Sequence, residues 1–132
     1  MIKVITFGVF DLLHYGHINL FKRAKALGDY LIIAVQDDEN VVKNKPNTKL
    51  VESLAKRMND VSSSCFVSKS IPYSQVDETI KKVEFDILVV GPDQTNQHFQ
   101  NAFEWCKRHA KEVVVLPRTE GISSTLIRNG NN

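Results

Sequence analysis

Short apolar runs alternate along the chain with segments in which apolar residues recur every three or four positions. The first pattern is typical of β-strands and the second of amphipathic α-helices. The predicted strands are 2–7, 30–35, 65–71, 86–90 and 112–116. The predicted helices are 16–27, 49–61, 75–83, 97–110 and 123–128, and the polar segment 37–48 is predicted to be a loop.

Strands that alternate with helices along a chain predict a parallel sheet covered by helices on both faces. We therefore expect a single α/β domain over residues 1–132, a Rossmann-like three-layer α/β/α arrangement with a five-stranded parallel sheet. Ligands of such sheets bind beyond the carboxyl ends of the strands. The candidate functional segments are the ones that follow strands: 8–17, 36–49, 91–94 and 117–125.

Composition and charge narrow the function classes. The 132 residues are 42% hydrophobic and 24% charged, which is ordinary usage for a globular domain. A net charge of +2 argues against a nucleic-acid partner. No apolar run approaches the roughly 20 residues of a membrane span, and the strand pattern begins at once, without a signal peptide. Cys65 and Cys106 lack disulfide-framework or metal spacing, so we expect partly buried, reduced thiols in a cytoplasmic protein.

Two histidines three residues apart begin the first predicted helix. His14 and His17 would share one face of its first turn, and Gly16 allows a ligand close to the backbone. A helix N-terminus offers N–H groups and positive potential, which suit phosphate. Two imidazoles there can donate hydrogen bonds to a phosphorus centre undergoing substitution. A metal site that includes Asp11, or a purely structural role for each histidine, are the alternatives.

A second candidate segment, PRTEGISST, occupies residues 117–125 after the last predicted strand. A glycine turn there leads into a helix start, where the N–H and hydroxyl groups of Ser123 can bind anionic oxygens. Arg118 has a planar donor fork that suits phosphate. A capped helix with a solvated arginine is the alternative interpretation of this segment.

Together, the two segments resemble the signatures of a nucleotidyltransferase family. The stretch from His14 to His17 is similar to the HxGH signature of the superfamily, and 118–125 is similar to the RTEGIS signature of its cytidylyltransferases. The likeness covers nearly the whole chain and points most closely to the small bacterial glycerol-3-phosphate cytidylyltransferases. Adenylyltransferases of the superfamily share the ISS(S/T) part and typically lack the preceding RTEG.

This resemblance implies transfer of CMP from CTP to a small phosphorylated alcohol, glycerol-3-phosphate first, with release of pyrophosphate and no covalent enzyme intermediate. It also implies Mg²⁺ accompanying CTP, a homodimer, no membrane partner, and a place in surface polysaccharide biosynthesis. The alternatives are the same reaction on another polyol or amino-alcohol phosphate, adenylyl transfer, and a non-catalytic nucleotide-binding protein.

The same resemblance assigns roles to residues of the nucleotide side. Catalytic roles fall to His14, His17, Arg118 and a loop lysine, for which Lys43 and Lys45 are both candidates. A threonine is common in the family where this chain has Val9. The implied nucleotide-binding residues are Gly8, Val9, Phe10, Asp11, Gly16, Asp93, Thr119, Gly121, Ile122 and Ser123.

The acceptor side departs from the family pattern. Arg57 matches a family arginine that helps to bind the acceptor. Ala55 and Lys56 stand where the family has a glutamate, and Cys65 stands where it has a second arginine. The sequence therefore predicts intact nucleotide machinery beside an altered acceptor pocket.

Overall fold

A computed structural model of the chain describes residues 1–44 and 50–117. Within these ranges the strands are β1 (Lys3–Gly8), β2 (Tyr30–Gln36), β3 (Lys69–Tyr73), β4 (Ile87–Val90) and β5 (Glu112–Val115). The helices are α1 (Tyr15–Lys25), α2 (Asp38–Asn44), α3 (Leu54–Ser62), α4 (Val76–Thr79) and α5 (Gln97–Arg108). The strands form one sheet in the order β3-β2-β1-β4-β5, and every ladder is parallel. The predicted five-stranded parallel sheet is thus confirmed, while the predicted helix 123–128 lies outside the described residues.

Both faces of the sheet are covered, because the side chains of its inner strands alternate between two apolar cores. One core joins the sheet to α1 and α3, and contains Val4, Phe21, Ala24, Leu31, Ile33, Val35, Val61 and Val89. The other joins it to α4 and α5, and contains Ile5, Phe7, Ala34, Val76, Leu88, Val90, Phe99, Ala102 and Cys106. Burying one such side chain stabilises the fold by roughly 1.5–3 kcal/mol. The three-layer α/β/α prediction is confirmed.

The segment predicted as a loop after β2 contains a helix, so that prediction was wrong for α2. Asp37 caps this helix: its carboxylate accepts the Asn40 backbone N–H at 2.8 Å and also holds the Ser74 hydroxyl at 2.7 Å. Acidic residues occupy its first turn and Lys43 its last, which suits the helix dipole. The helix is only seven residues long and mostly polar, so no apolar periodicity indicated it in the sequence.

The largest differences between predicted and observed boundaries lie in three other elements. Helix α3 begins at Leu54 because the Ser53 side chain caps it by accepting the Lys56 N–H. Strand β3 starts at Lys69 rather than at residue 65, since turn residues follow α3 and pairing with β2 begins only beyond them. The predicted helix 75–83 is a single turn, α4, whose N-terminal Gln75 provides no side-chain cap.

The strand order reverses between β1 and β4, which are neighbours although other elements separate them in sequence. Ligands of open parallel sheets bind at such a switch point, beyond the carboxyl ends of the two strands. Here those ends are Gly8 of β1 and Val90 of β4. Among the described residues, no helix combines the length and apolar character that a membrane span requires.

Candidate active site

The loop after β1 makes a tight turn over the end of its own strand. Phe10 and Leu12 both have positive φ values, 55° and 53°. The Phe10 ring folds back over Gly8 so closely that a Cβ there would lie 2.8 Å from a ring carbon. The same ring is buried and meets His17 edge-on, with 5.5 Å between ring centroids. A side chain at position 8 would therefore force the Phe10 ring to move.

This turn delivers His14 to the N-cap of α1, where the two histidines form a capping box. The His14 side chain accepts the Gly16 N–H at Nδ1, over 3.0 Å. In return, Nδ1 of His17 accepts the backbone N–H of His14 over 3.3 Å. The two rings stack with centroids 3.9 Å apart and planes inclined by 26°. Both imidazoles are therefore held by the first turn of the helix that carries them.

The hydrogen bonds and the burial define the protonation of this pair. Burial lowers the pKa of His14, and the pKa of His17 falls to about 3, first through burial and then through the nearby His14, against an opposing effect of Asp11. Both rings are neutral near pH 7. Because each Nδ1 accepts a backbone N–H, the ring hydrogen is on Nε2. The site thus provides two neutral Nε2–H donors at a helix N-terminus, which suits phosphate oxygens.

Asp11 joins the β1 loop to the segment before α3. Its carboxylate is buried and accepts the backbone N–H groups of Val51 and Glu52, each over 3.0 Å. Glu52 reciprocates by accepting the Leu12 N–H over 2.8 Å. These contacts hold the loop in its turn; a contact of Asp11 with the nucleotide stays a prediction. Among the described residues, no cluster of three or more His, Cys, Asp or Glu side chains is suited to hold a metal.

Glu52 was missed by the sequence reasoning, which looked for a glutamate at positions 55 and 56. Its side chain also lies 3.5 Å from the Lys56 ammonium. The signal that could have found it is the sequence Glu-Ser directly before the helix start, since Ser53 is the N-cap of α3.

Arg57, which the resemblance implies helps to bind the acceptor, has no exposed surface. Its guanidinium donates to the carbonyl groups of Val9 and Gln36, both over 2.8 Å, and forms an ion pair with Asp38. Its Nε donates to the Glu52 carbonyl over 3.2 Å. These partners are protein groups, and a direct contact of Arg57 with an acceptor stays a prediction.

Gln94 spans the switch point and was not identified from the sequence. Its Oε1 accepts the Gly91 N–H over 2.9 Å, and its Nε2 donates to the Phe7 carbonyl over 2.7 Å. The side chain therefore ties the end of β4 to the end of β1. Asp93, predicted to lie near the nucleotide, is exposed in the turn beside it.

Lys43 and the two cysteines lie within the described ranges, whereas the other remaining predicted residues lie outside them. Lys43 is exposed in the last turn of α2, after β2. Cys65 is exposed rather than partly buried as expected, whereas Cys106 is fully buried in the core. The predicted site residues outside the described ranges are Lys45, Arg118, Thr119, Gly121, Ile122 and Ser123.

The last described residue, Pro117, lies against α1. Arg23 of α1 donates to the Pro117 carbonyl over 2.9 Å. Pro117 immediately precedes the RTEGISST segment, and α1 begins with the two histidines. The hydrogen bond therefore brings the start of the second candidate segment to the helix that carries the first.

A Rossmann-like parallel sheet with a helix N-terminus at its switch point is the arrangement typical of nucleotide-binding α/β proteins. A family model described as cytidylyltransferase-like matches residues 5–130. The chain belongs to the cytidylyltransferase-like family.

Relatives and solved structures agree with this membership. The chain is 42% identical to the glycerol-3-phosphate cytidylyltransferase of Bacillus subtilis (strain 168), covering 97% of this chain and 95% of the relative. It is 39% identical to the enzyme of that name from Staphylococcus aureus, covering 97% and 93%. It is 32% identical to an ethanolamine-phosphate cytidylyltransferase of Dictyostelium discoideum, of which it spans 35%. A crystal structure described as the lipopolysaccharide core biosynthesis protein from Thermoplasma volcanium GSS1 superposes with a TM-score of 0.74 at 27% identity, covering 90% of this chain and 97% of that one.

Proposed function

We propose that this protein is a cytidylyltransferase that transfers CMP from CTP to glycerol-3-phosphate. The observation that carries the proposal is the histidine capping box at the β1/β4 switch point, with both rings neutral and hydrogen-bonded through Nδ1. Full-length similarity to two glycerol-3-phosphate cytidylyltransferases supports the choice of both substrates.

In the proposed reaction, a phosphate oxygen of the acceptor forms a bond to the α-phosphorus of CTP. The bond from that phosphorus to the oxygen of the β-phosphate breaks, and pyrophosphate leaves with its electron pair. Negative charge increases on the oxygens around the phosphorus as the bonds exchange. Fixed Nε2–H donors of His14 and His17 would stabilise this charge without reorganisation, because backbone N–H groups already hold the rings.

We propose that Mg²⁺ enters as part of the CTP complex. Phosphate oxygens are hard ligands that suit Mg²⁺, and the ion commonly needs few protein ligands when phosphates are present. In this proposal phosphate oxygens supply most of the ligands, and the described residues contain no cluster of three or more His, Cys, Asp or Glu side chains suited to hold the ion by themselves.

A lysine after β2 is proposed to bind the triphosphate, with Lys43 and Lys45 as the candidates. Lys43 is exposed at the end of α2, a helix that begins directly after β2 ends at Gln36. Lys43→Met and Lys45→Met should be compared by their CTP Michaelis constants. The variant of the phosphate-binding lysine is expected to raise that constant substantially, while the other should remain within about twofold of wild type.

A different acceptor is the second candidate function. The resemblance implies that Cys65 replaces a second family arginine; the thiol is exposed in the turn between α3 and β3, at the end of the sheet opposite the histidines. The similarity to an ethanolamine-phosphate cytidylyltransferase supports amino-alcohol phosphates as candidates.

We also propose that the protein is a cytoplasmic homodimer. Light scattering after gel filtration would test the dimeric state.

The deciding experiment is a pyrophosphate-release assay with product mass determination. CTP is combined in turn with the phosphates of glycerol, ribitol, erythritol, choline and ethanolamine, and each acceptor is repeated with ATP. A product of the mass of CDP-glycerol, formed fastest with CTP, supports the proposal. Faster turnover of another phosphate would reassign the acceptor, and faster turnover with ATP throughout would reject cytidylyl transfer. CTP binding by calorimetry without turnover of any acceptor would indicate a non-catalytic protein.

A further inference from the structure

Arg57 connects three segments that are distant in sequence but lie together at the carboxyl end of the sheet. Its guanidinium bonds the carbonyl of Val9 in the β1 loop and the carbonyl of Gln36 at the end of β2. It pairs with the carboxylate of Asp38 in the first turn of α2. Its own helix, α3, thus contacts all three segments through this side chain.

Two of these segments carry candidate catalytic residues. Val9 belongs to the loop that delivers His14 to the start of α1, and Asp38 belongs to the helix whose last turn contains Lys43. A planar guanidinium can serve several acceptors at fixed angles, whereas an ammonium is a single point charge. The arrangement sets the position of the histidine loop relative to α2.

We infer that Arg57 is a positioning residue of the nucleotide site, which holds the histidine loop and α2 in register, in place of the acceptor contact predicted from the family. The inference rests on the proposed function for its kinetic test. The burial of Arg57 favours it, because the guanidinium has no exposed surface to offer an acceptor. The ion pair with Asp38 favours it too, since the carboxylate already occupies a guanidinium donor that an acceptor phosphate would need.

The test compares Arg57→Lys, Asp38→Asn and the double variant with wild type, measuring the Michaelis constants for CTP and glycerol-3-phosphate separately. Misplaced catalytic groups can lower turnover by up to about a hundredfold. We expect both single variants to lower kcat and raise the CTP constant, with the constant for glycerol-3-phosphate within about twofold of wild type. The double variant should lose less than the two single losses multiplied. Arg108→Met, at an exposed arginine at the end of α5, is the matched control.

An increase of about tenfold or more in the glycerol-3-phosphate constant alone, or no change in either constant, would overturn the inference. Asp38→Asn keeps the test available if the Arg57 variant does not fold, because the Asp38 side chain is about half exposed, at 53%. Amide hydrogen exchange gives a second measurement that does not depend on activity. Faster exchange is expected in α2 and in the loop 9–12 together, and a change confined to α3 would contradict the inference. A wild-type protein without CMP transfer would instead reject the proposed function, and the exchange measurement would still decide the role of Arg57.

Discussion

The backbone N–H of His14 donates to the imidazole of His17, and the two rings stack with 3.9 Å between their centroids. Each histidine is therefore part of the environment that orients the other. The usual N3 residue of a capping box is Glu or Gln, and here a histidine takes that position. This relationship allows the capping role of His17 to be separated experimentally from its catalytic role.

His17→Gln should retain the cap and lose the catalytic donor. A glutamine at this position can accept the His14 N–H, so the free energy of unfolding should stay within about 1 kcal/mol of wild type. Turnover should fall by about 100- to 1,000-fold, the usual loss for one transition-state donor, with a modest change in the CTP Michaelis constant. His17→Ala should lose both stability and turnover. Near wild-type turnover of His17→Gln would exclude His17 from catalysis.

Stability should decrease as the pH falls from about 6.5 toward 3. In the folded protein the pKa of His17 is lowered to about 3, from an ordinary value of 6.5. Below pH 6.5 the unfolded chain therefore binds more protons than the folded chain, and the free energy of unfolding rises with pH across this window. Urea unfolding at a series of pH values measures the slope.

His17→Gln should have a smaller slope than wild type between these pH values. The difference between the two proteins isolates the histidine, because carboxylates that titrate in acid are common to both. His109→Gln, which removes an exposed histidine remote from the stacked pair, is the control. Equal slopes in wild type and His17→Gln would show that His17 does not resist protonation in the folded state.

Gly8→Ala should destabilise the protein and slow the reaction. A Cβ at position 8 would come within 2.8 Å of the Phe10 ring, and this ring packs edge-on against His17. Overpacking of this kind costs about 1–3 kcal/mol. Gly91→Ala is the stability control, because the nearest atom to a Cβ there is an Asp93 oxygen at 3.6 Å, an ordinary contact.

A smaller side chain at position 10 should relieve the clash that Gly8→Ala creates. Phe10→Leu alone should destabilise the protein. Combined with Gly8→Ala, it should recover part of the stability that Gly8→Ala loses, as measured by thermal unfolding. If Gly8→Ala and Gly91→Ala lose equal stability, the Phe10 contact is not the reason for glycine at position 8.

Gln94→Glu should weaken the junction between β1 and β4, although glutamate and glutamine side chains have nearly the same shape. The carboxylate keeps an acceptor for the Gly91 N–H, but it cannot donate to the Phe7 carbonyl. Two acceptor oxygens would then face each other, and loss of a hydrogen bond at a half-buried site costs about 1–3 kcal/mol. Urea unfolding near pH 7 measures this, with Gln100→Glu on α5 as the matched control. Equal stability of Gln94→Glu and wild type would show that the Gln94 hydrogen bonds do not stabilise the junction between β1 and β4.

The sequence by itself determined the local and periodic features. Runs of β-branched and apolar residues specify buried strands, and their alternation with helices specifies a parallel sheet. Helix α1 and the strands β1 and β4 follow from patterns within a few residues. The HxGH segment could be identified from four consecutive residues that resemble a family signature, and the capping contacts found there also join residues only two or three positions apart.

Only the tertiary structure decided which side chains serve the site by holding its loops. Asp11 meets Val51 and Glu52 about forty positions away, and Arg57 reaches back to Val9. No periodicity encodes such contacts, because they depend on how loops from different strands pack at one edge of the sheet. The partner of a polar side chain is chosen there by burial, since each buried donor and acceptor must be satisfied. For that reason the family resemblance could place Arg57 near the site, while the fold decided that its guanidinium is buried among protein groups.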